Sequence, residues 1–285
     1  MGSVVRPGHR RRSDFGRLAG YVALLVVTVA MAAPLLWMVT TALKPESQIF
    51  QYPIQWIPRT PTLGNFANVL TNYPIGRWFF NSLIVAVLTT AVSLPLYGLG
   101  AYPLARLQFP GKKLVFLVIL ATMLMPAEGT MVPLFLGLSR LRISDSYFSL
   151  VMPVVANAFG LYLLTQFFQS IPSELRDAAL MDGATDLGIL WRIILPLSRP
   201  ALTTVAIYTF MASWNNFVWP FIVSNSDATR TLPAGLTALI GGVDVGTRFG
   251  ISMASALIAT LPPVVIFVAL QRYFAQGIAM TGVKG

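Results

Sequence analysis

Long uncharged apolar runs alternate with short polar segments along this chain. About 20 consecutive apolar residues in a helix cross a bilayer. Leu18 to Leu43 is 26 residues long without a charge, and Trp78 to Ala105 is 28. A third run starts at Leu114 and is interrupted by Pro126 and Glu128. Met131 to Leu138 then resumes the apolar pattern as a short interfacial or re-entrant segment, until Arg140 and Arg142 end it. Ser146 to Phe168, Ala201 to Val223 and Gly250 to Gln271 complete the set. The pattern predicts an all-α integral membrane protein with six spans. Pro262-Pro263 predicts a kink in the sixth, because proline frees a helical carbonyl that neighbours must satisfy.

The connections carry their own signals. Lys44 to Arg77 is proline-rich, and Tyr52, Trp56 and Tyr73 suit a membrane interface. Within it, Thr62 to Val69 reads as a short helix capped by Thr62 or Asn65. Arg106 to Lys113 is a basic loop with a Pro110-Gly111 turn. Ser224 to Phe249 reads as a polar outer loop. Met1 to Arg17 is a basic tail holding Arg10-Arg11-Arg12. The run after it exceeds the roughly 7–15 apolar residues of a signal peptide, so it is expected to remain as the first span. His9, the one histidine, belongs to that tail.

The longest polar interruption runs from Ile171 to Pro200 and holds four of the ten acidic residues, Glu174, Asp177, Asp182 and Asp186. Charges are expensive in hydrocarbon, so the segment is expected at the aqueous surface. Ser173 is a candidate N-cap, with Glu174 and Asp177 in the first turn where the helix dipole favours negative charge. Gly183 fits the left-handed position that ends a helix, and Thr185 can cap a second one beginning near Asp186. Helix, glycine turn, helix is a shape that presents a knob to a partner.

Composition agrees with the pattern. Hydrophobic residues make up 55% of the chain, charged residues 11%, and mean hydropathy is +0.70; soluble domains carry roughly 25% charged residues. The net charge of +10 marks the cytoplasmic side better than it marks a nucleic-acid ligand. With six spans and both ends inside, the inner segments hold 13 Lys/Arg against 7 outside. That bias puts the 171–200 element in the cytoplasm. The domain reading is a basic tail over 1–17, a transmembrane domain over 18–272 and a cytoplasmic tail over 273–285.

Candidate chemistry is sparse. The absence of cysteine excludes disulfides and thiol catalysis. No phosphate-cradling Gly-x-x-x-x-Gly-Lys-Ser/Thr exists, so ATP hydrolysis is not expected in this chain. Metal or nucleophilic catalysis has no candidate constellation. Glu128 alone could serve an ion-coupled relay, and an outer-interface position beside a helix end fits it better. Asn157, Trp214, Asn215, Asn216 and Trp219 supply amide and aromatic groups of the kind that bind sugars. The bland reading of the same residues is interhelical hydrogen bonding and interface anchoring. If helical, Asn215 and Trp219 share a face.

The Asp177-Ala178-Ala179 triplet, Gly183 four residues after Ala179, and the tail Pro196-Leu197-Ser198-Arg199-Pro200 together resemble the EAA motif of ABC-transporter permeases. Trp214-Asn215-Asn216 and the C-terminal residues from Gln271 to Gly285 are similar to the maltose permease-like branch of carbohydrate importers. Asp177 stands where glutamate is usual in that family. The resemblance implies a type I importer fold and a coupling loop that docks on an ATPase through Glu174, Asp177, Ala178, Ala179, Asp182 and Gly183. It also implies a second, different permease subunit, two ATPase subunits using ATP and Mg, and an external solute-binding protein, all at a bacterial cytoplasmic membrane. The implied cargo is a sugar or a related polar solute, with a sugar phosphate, glycerol phosphate ester or amino sugar as the alternative. An ion-coupled secondary transporter and a structural membrane protein are the rivals of another class.

Overall fold

The computed structural model describes residues 14–126, 128–241 and 248–282. His9, Arg10–Arg12, Asp244 and Lys284 lie outside the described residues. Every regular element among the described residues is helical.

Helix α1, Asp14–Ala42, crosses without a break. Its apolar residues are exposed nearly throughout, as expected of a helix that meets lipid or another subunit rather than this chain's core. Two short helices follow outside it, α2 (Glu46–Ile49) and α3 (Gly64–Asn72). The N-cap position of α3 is Leu63 and carries no side-chain cap; Thr62 instead accepts the Gly64 N–H at 3.0 Å in a local turn just before the helix. Asn65 does something different from capping α3. Its Nδ2 donates to the carbonyls of Ala42 (2.9 Å) and Lys44 (2.8 Å), closing the C-terminal end of α1. Lys44 itself is buried, donates to the Gln55 carbonyl and lies 4.3 Å over the Trp37 ring. Burial holds its ammonium below the usual lysine range.

Helix α4, Ile75–Arg106, is the central rod. It packs chiefly against the later helices Ala158–Ser170 and Arg199–Trp214, with α3, Tyr147–Val151 and Leu232–Gly241 touching it as well, and Pro95 and Pro103 lie within it without ending it. The third apolar run divides at the expected break into α5 (Lys112–Thr122) and α6 (Glu128–Arg140). Pro126 separates them, and Glu128 is exposed in the first turn of α6, where the helix dipole favours it. The fourth run is also broken. Helix α7 (Tyr147–Val151) and a 3₁₀ turn end before Asn157, and α8 (Ala158–Ser170) restarts at a 47° bend.

After the 171–200 element comes α12 (Arg199–Trp214). The chain leaves helical geometry over 215–217, then forms α13 (Val218–Val223). The expected polar outer loop contains a mostly apolar helix, α14 (Leu232–Gly241). Leu232, Ala234 and Leu236 are buried, and Leu232 and Leu236 belong to a cluster with Trp78, Trp214 and Ile251. Helix α15, Phe249–Gly282, continues unbroken through Pro262 and Pro263. The two largest of four buried apolar clusters among the described residues lie at opposite ends of α4. One joins α3, α4, α12, α14 and α15; the other joins the opposite end of α4 to α8 and the 171–200 element.

Candidate functional site

In the 171–200 segment, α9 spans Glu174–Met181. Ser173 is not a side-chain cap: its backbone is already helical, and its carbonyl instead receives the N–H groups of Arg176 (2.9 Å) and Asp177 (3.1 Å). The far end closes as expected. Gly183 adopts φ +80°, the Gly183 N–H donates to the Leu180 carbonyl (3.0 Å) and the Ala184 N–H to the Ala179 carbonyl (2.9 Å). That pair is the Schellman arrangement, and it reverses the chain within two residues. Thr185 caps α10 (Asp186–Ile189) through its hydroxyl to the Gly188 N–H at 3.2 Å. Five π-helical residues, Leu190–Ile194, lead into α11 (Leu195–Leu197), and the chain turns by 82° into α12.

Glu174, Asp177, Ala178, Asp182 and Gly183 are exposed. Ala179 is not; it is buried with Ile189, Leu190 and Ile194 against Tyr102, Leu164 and Phe168. The element therefore has an outward acidic face and an inward apolar face. Its attachment also depends on Asp186 and on two groups that the sequence pattern did not single out, Tyr102 and Arg176. Tyr102 donates to Asp186 at 2.6 Å, and Arg176 donates to the same carboxylate oxygen from Nε (3.1 Å) and Nη2 (3.0 Å). The hydrogen bond from Tyr102, and then Arg176, hold the Asp186 carboxyl below its ordinary value against the opposing effect of burial. Arg106, at the end of α4, donates to the carbonyls of Phe168 and Ile171 where α8 ends.

A cavity of about 140 Å³ lies where α4, α8 and α12 meet, at the break in the fourth run. Asn157 and Asn216 line it. Asn157 Oδ1 accepts the N–H groups of Phe159 (2.9 Å) and Gly160 (3.4 Å), so it caps α8 while facing the cavity. The other three expected residues fall elsewhere. Trp214 is buried between Phe79 and Phe210, with ring centroids at 5.5 and 6.1 Å. Trp219 is buried, and its indole N–H donates to the Ser149 carbonyl at 2.9 Å. Asn215 is exposed just past α12, outside the cavity lining. The shared face expected of Asn215 and Trp219 does not exist, because the chain is not helical between them.

The cavity is completed by Thr89, Tyr97, Tyr208, Thr209 and Ser213. A signal for them was present: Thr89, Ser93 and Tyr97 fall at i, i+4 and i+8 on one apolar run, and Thr209 and Ser213 at i and i+4 on another. Ser93 donates to the Val155 carbonyl at 3.0 Å, satisfying backbone beside the break.

Broken spans around a small cavity of mixed polar and apolar lining, and a helical knob on the same bundle, are the arrangement of a membrane-transport subunit. A chain of a bacterial ABC transporter involved in the import of the acidic polysaccharide alginate shares the fold, with a TM-score of 0.83 at 23% identity over 94% of this chain and all of that one. The arabinooligosaccharides transport system permease protein AraQ of Bacillus subtilis is 32% identical over 280 residues, covering 97% of this chain and 99% of AraQ. The sn-glycerol-3-phosphate transport system permease protein UgpE of Yersinia enterocolitica is 30% identical over 264 residues, covering 90% and 94%. Residues 96–280 match the binding-protein-dependent transport system inner membrane component, and this chain belongs to that family. It is a permease subunit of an ABC importer in the inner membrane, and ATP is used by a separate subunit.

Proposed function

We propose that this chain carries a sugar or related polar solute inward and is driven through its 171–200 element by a separate ATPase. Glu174, Asp177, Ala178, Asp182 and Gly183 form the docking face, and Ala179 anchors that face to the bundle. The working assembly pairs this chain with a different permease subunit, two ATPase subunits that use ATP and Mg, and an external solute-binding protein. Both chain ends face the cytoplasm. The observation that carries the reading is the latch of Tyr102, Arg176 and Asp186, which ties an outward acidic helix to the rod that lines the cavity. A push on α9 is thereby delivered to α4 rather than absorbed by a loose loop.

The cargo class is supported by relatives named for arabinooligosaccharides and for sn-glycerol 3-phosphate. An ion-coupled carrier is disfavoured because, among the described residues, no acidic one lines the cavity, and Glu128 is exposed at the start of α6.

The test is capture of the ATPase by the purified permease pair. Double reversal of charge, Glu174→Lys with Asp177→Lys, is expected to abolish capture while the protein still inserts. Undiminished capture would remove this face as the docking site.

A further inference from the structure

We propose that the groove between the C-terminal end of α4, the start of α5 and the end of α8 binds one anionic glycerophospholipid, with Lys112 and Lys113 on its phosphate and Phe109 and Phe116 along its glycerol and acyl chains. The proposal is independent of the cargo and of the ATPase-docking face.

The groove has a volume of about 530 Å³ and opens to the surface. Small-molecule sites have roughly 300–1,000 Å³. Its lining combines two chemistries. Gln108, Lys112, Lys113 and Gln169 are polar, whereas Phe109, Phe116 and the buried Leu104 are apolar. The Phe116 ring stacks on Tyr162 of α8, with centroids 6.2 Å apart, so that wall is held in place. Lys112 Nζ donates to the Leu107 carbonyl at 2.8 Å, which fixes one ammonium at the groove. Lys113 is exposed.

The charge here is one-sided. Among the described residues, neither lysine forms an ion pair with a carboxylate, and no aspartate or glutamate lines the groove. Both lysines stand in the first turn of α5, which has no acidic residue and no side-chain cap. The helix dipole adds to their charge at that end instead of offsetting it, an arrangement that an anion relieves. Positive charge at the end of a span would by itself only mark the side of the membrane. The groove, the fixed ammonium and the aromatic walls are what make a site.

The apolar lining identifies the source of the anion. A free phosphate would meet the lysines and leave Phe109 and Phe116 unused. Helix α5 has no buried residue, and Leu114, Val115, Leu117 and Val118, just after the lysines, are 45–65% exposed. The groove therefore runs on into a surface that acyl chains can cover, with the lysines at headgroup depth. An anionic headgroup joined to hydrocarbon matches both halves. A zwitterionic headgroup brings its own cation and gains less from the lysines.

The test uses the purified complete transporter in detergent. Native mass spectrometry counts retained lipid, and thermal unfolding checks the fold. The probes are dioleoyl phosphatidylglycerol, dioleoyl phosphatidylcholine and inorganic phosphate. Lys112→Gln with Lys113→Gln is expected to remove one phosphatidylglycerol per copy of this chain, each lysine contributing about fivefold in affinity. Lys112→Arg with Lys113→Arg is expected to keep it. Phosphatidylcholine retention and the unfolding temperature without added lipid should stay unchanged. Arg59→Gln removes an exposed charge outside the groove and controls for net charge. Lys113→Gln alone, at an exposed position, carries the test if the double variant unfolds early. Equal phosphatidylglycerol retention by wild type and the glutamine variants would overturn the site. An equal loss in Arg59→Gln would reduce it to overall charge. Displacement of phosphatidylglycerol by the same concentration of inorganic phosphate would make it a free-anion site. Loss of phosphatidylcholine alongside would leave a lipid contact with no choice of headgroup, which also overturns the proposal.

Discussion

The phenol of Tyr102 donates a 2.6 Å hydrogen bond to the Asp186 carboxylate, joining the C-terminal end of α4 to a residue 84 positions later. Arg176 approaches the same oxygen from α9, so three elements meet at one acceptor. Charge-assisted hydrogen bonds of this kind are shorter and stronger than neutral ones. Asp186 is partly exposed, so solvent discounts the gain.

Tyr102→Phe and Asp186→Asn test that junction. Each is expected to cost about 1 kcal/mol of stability after the discount for exposure. More specifically, solute carried per ATP hydrolysed should fall severalfold while the ATPase is still captured. The ratio comes from parallel uptake and phosphate-release assays in proteoliposomes, and an unchanged ratio would show that the latch transmits nothing. The pH dependence has a definite sign. The folded Asp186 carboxyl lies below 3.8, so its contribution is fully present above that value and is lost as pH falls through the folded value. Coupling should therefore show no loss from this group between neutral and mildly acidic pH.

Gly183 offers a cleaner separation of strain from sterics. A Cβ at this position would meet nothing within 4 Å, yet φ is +80°. Left-handed geometry costs an ordinary L-residue about 1–2 kcal/mol, and asparagine tolerates it best. Capture of the ATPase should thus decline in the order glycine, asparagine, alanine, valine. If bulk rather than backbone geometry governed the site, asparagine would be worse than alanine.

Sequence periodicity revealed the apolar runs and the glycine turn because both are local. Gly183, Thr185 and the acidic first turn of α9 need no distant partner to be recognised. Trp214 and Trp219 could not be assigned from sequence, because an aromatic in a span looks the same whether it faces a path or a core. Only the positions of Phe79, Phe210 and the Ser149 carbonyl decide between them. Helix α14 was hidden by polar neighbours, Asp227 and Arg230, which turn out to form an ion pair at 2.8 Å that also holds the Trp78 indole. Arg106 registered only as a positive charge on the inner side. Its bonds to two carbonyls at the end of α8 depend on a fold that juxtaposes residues more than 60 positions apart.

Gly160 and Tyr97 make a second close relationship with consequences for uptake. A Cβ on Gly160 would lie 2.4 Å from Tyr97 Cε2, so the bare backbone of α8 is what lets that ring lie across it. Gly160→Ala must displace the ring, at an overpacking cost of about 1–3 kcal/mol. Because Tyr97 lines the cavity, uptake should drop more than stability alone explains. Thermal unfolding and uptake measured on the same preparations would separate the two. Equal losses in Gly160→Ala and in Gly235→Ala would deny Tyr97 any special part. A Cβ on Gly235 would run into the Trp78 ring, and Gly235 lies outside the cavity lining.

Orientation can be read directly because the chain contains no cysteine. Ile57, between α2 and α3, is 79% exposed, and Met181, at the end of α9, is 88% exposed. Single substitutions Ile57→Cys and Met181→Cys would therefore accept a thiol reagent with little disturbance of packing. The distribution of Lys/Arg over the whole chain, 13 in the inner segments against 7 in the outer ones, predicts that the Arg106–Lys113 loop and α9 both face the cytoplasm. A membrane-impermeant maleimide applied to sealed right-side-out vesicles should label Ile57→Cys at once and Met181→Cys only after lysis. The reverse order would place the acidic helix outside, beyond reach of any ATP-hydrolysing partner. The latch through Tyr102 would then have nothing to transmit.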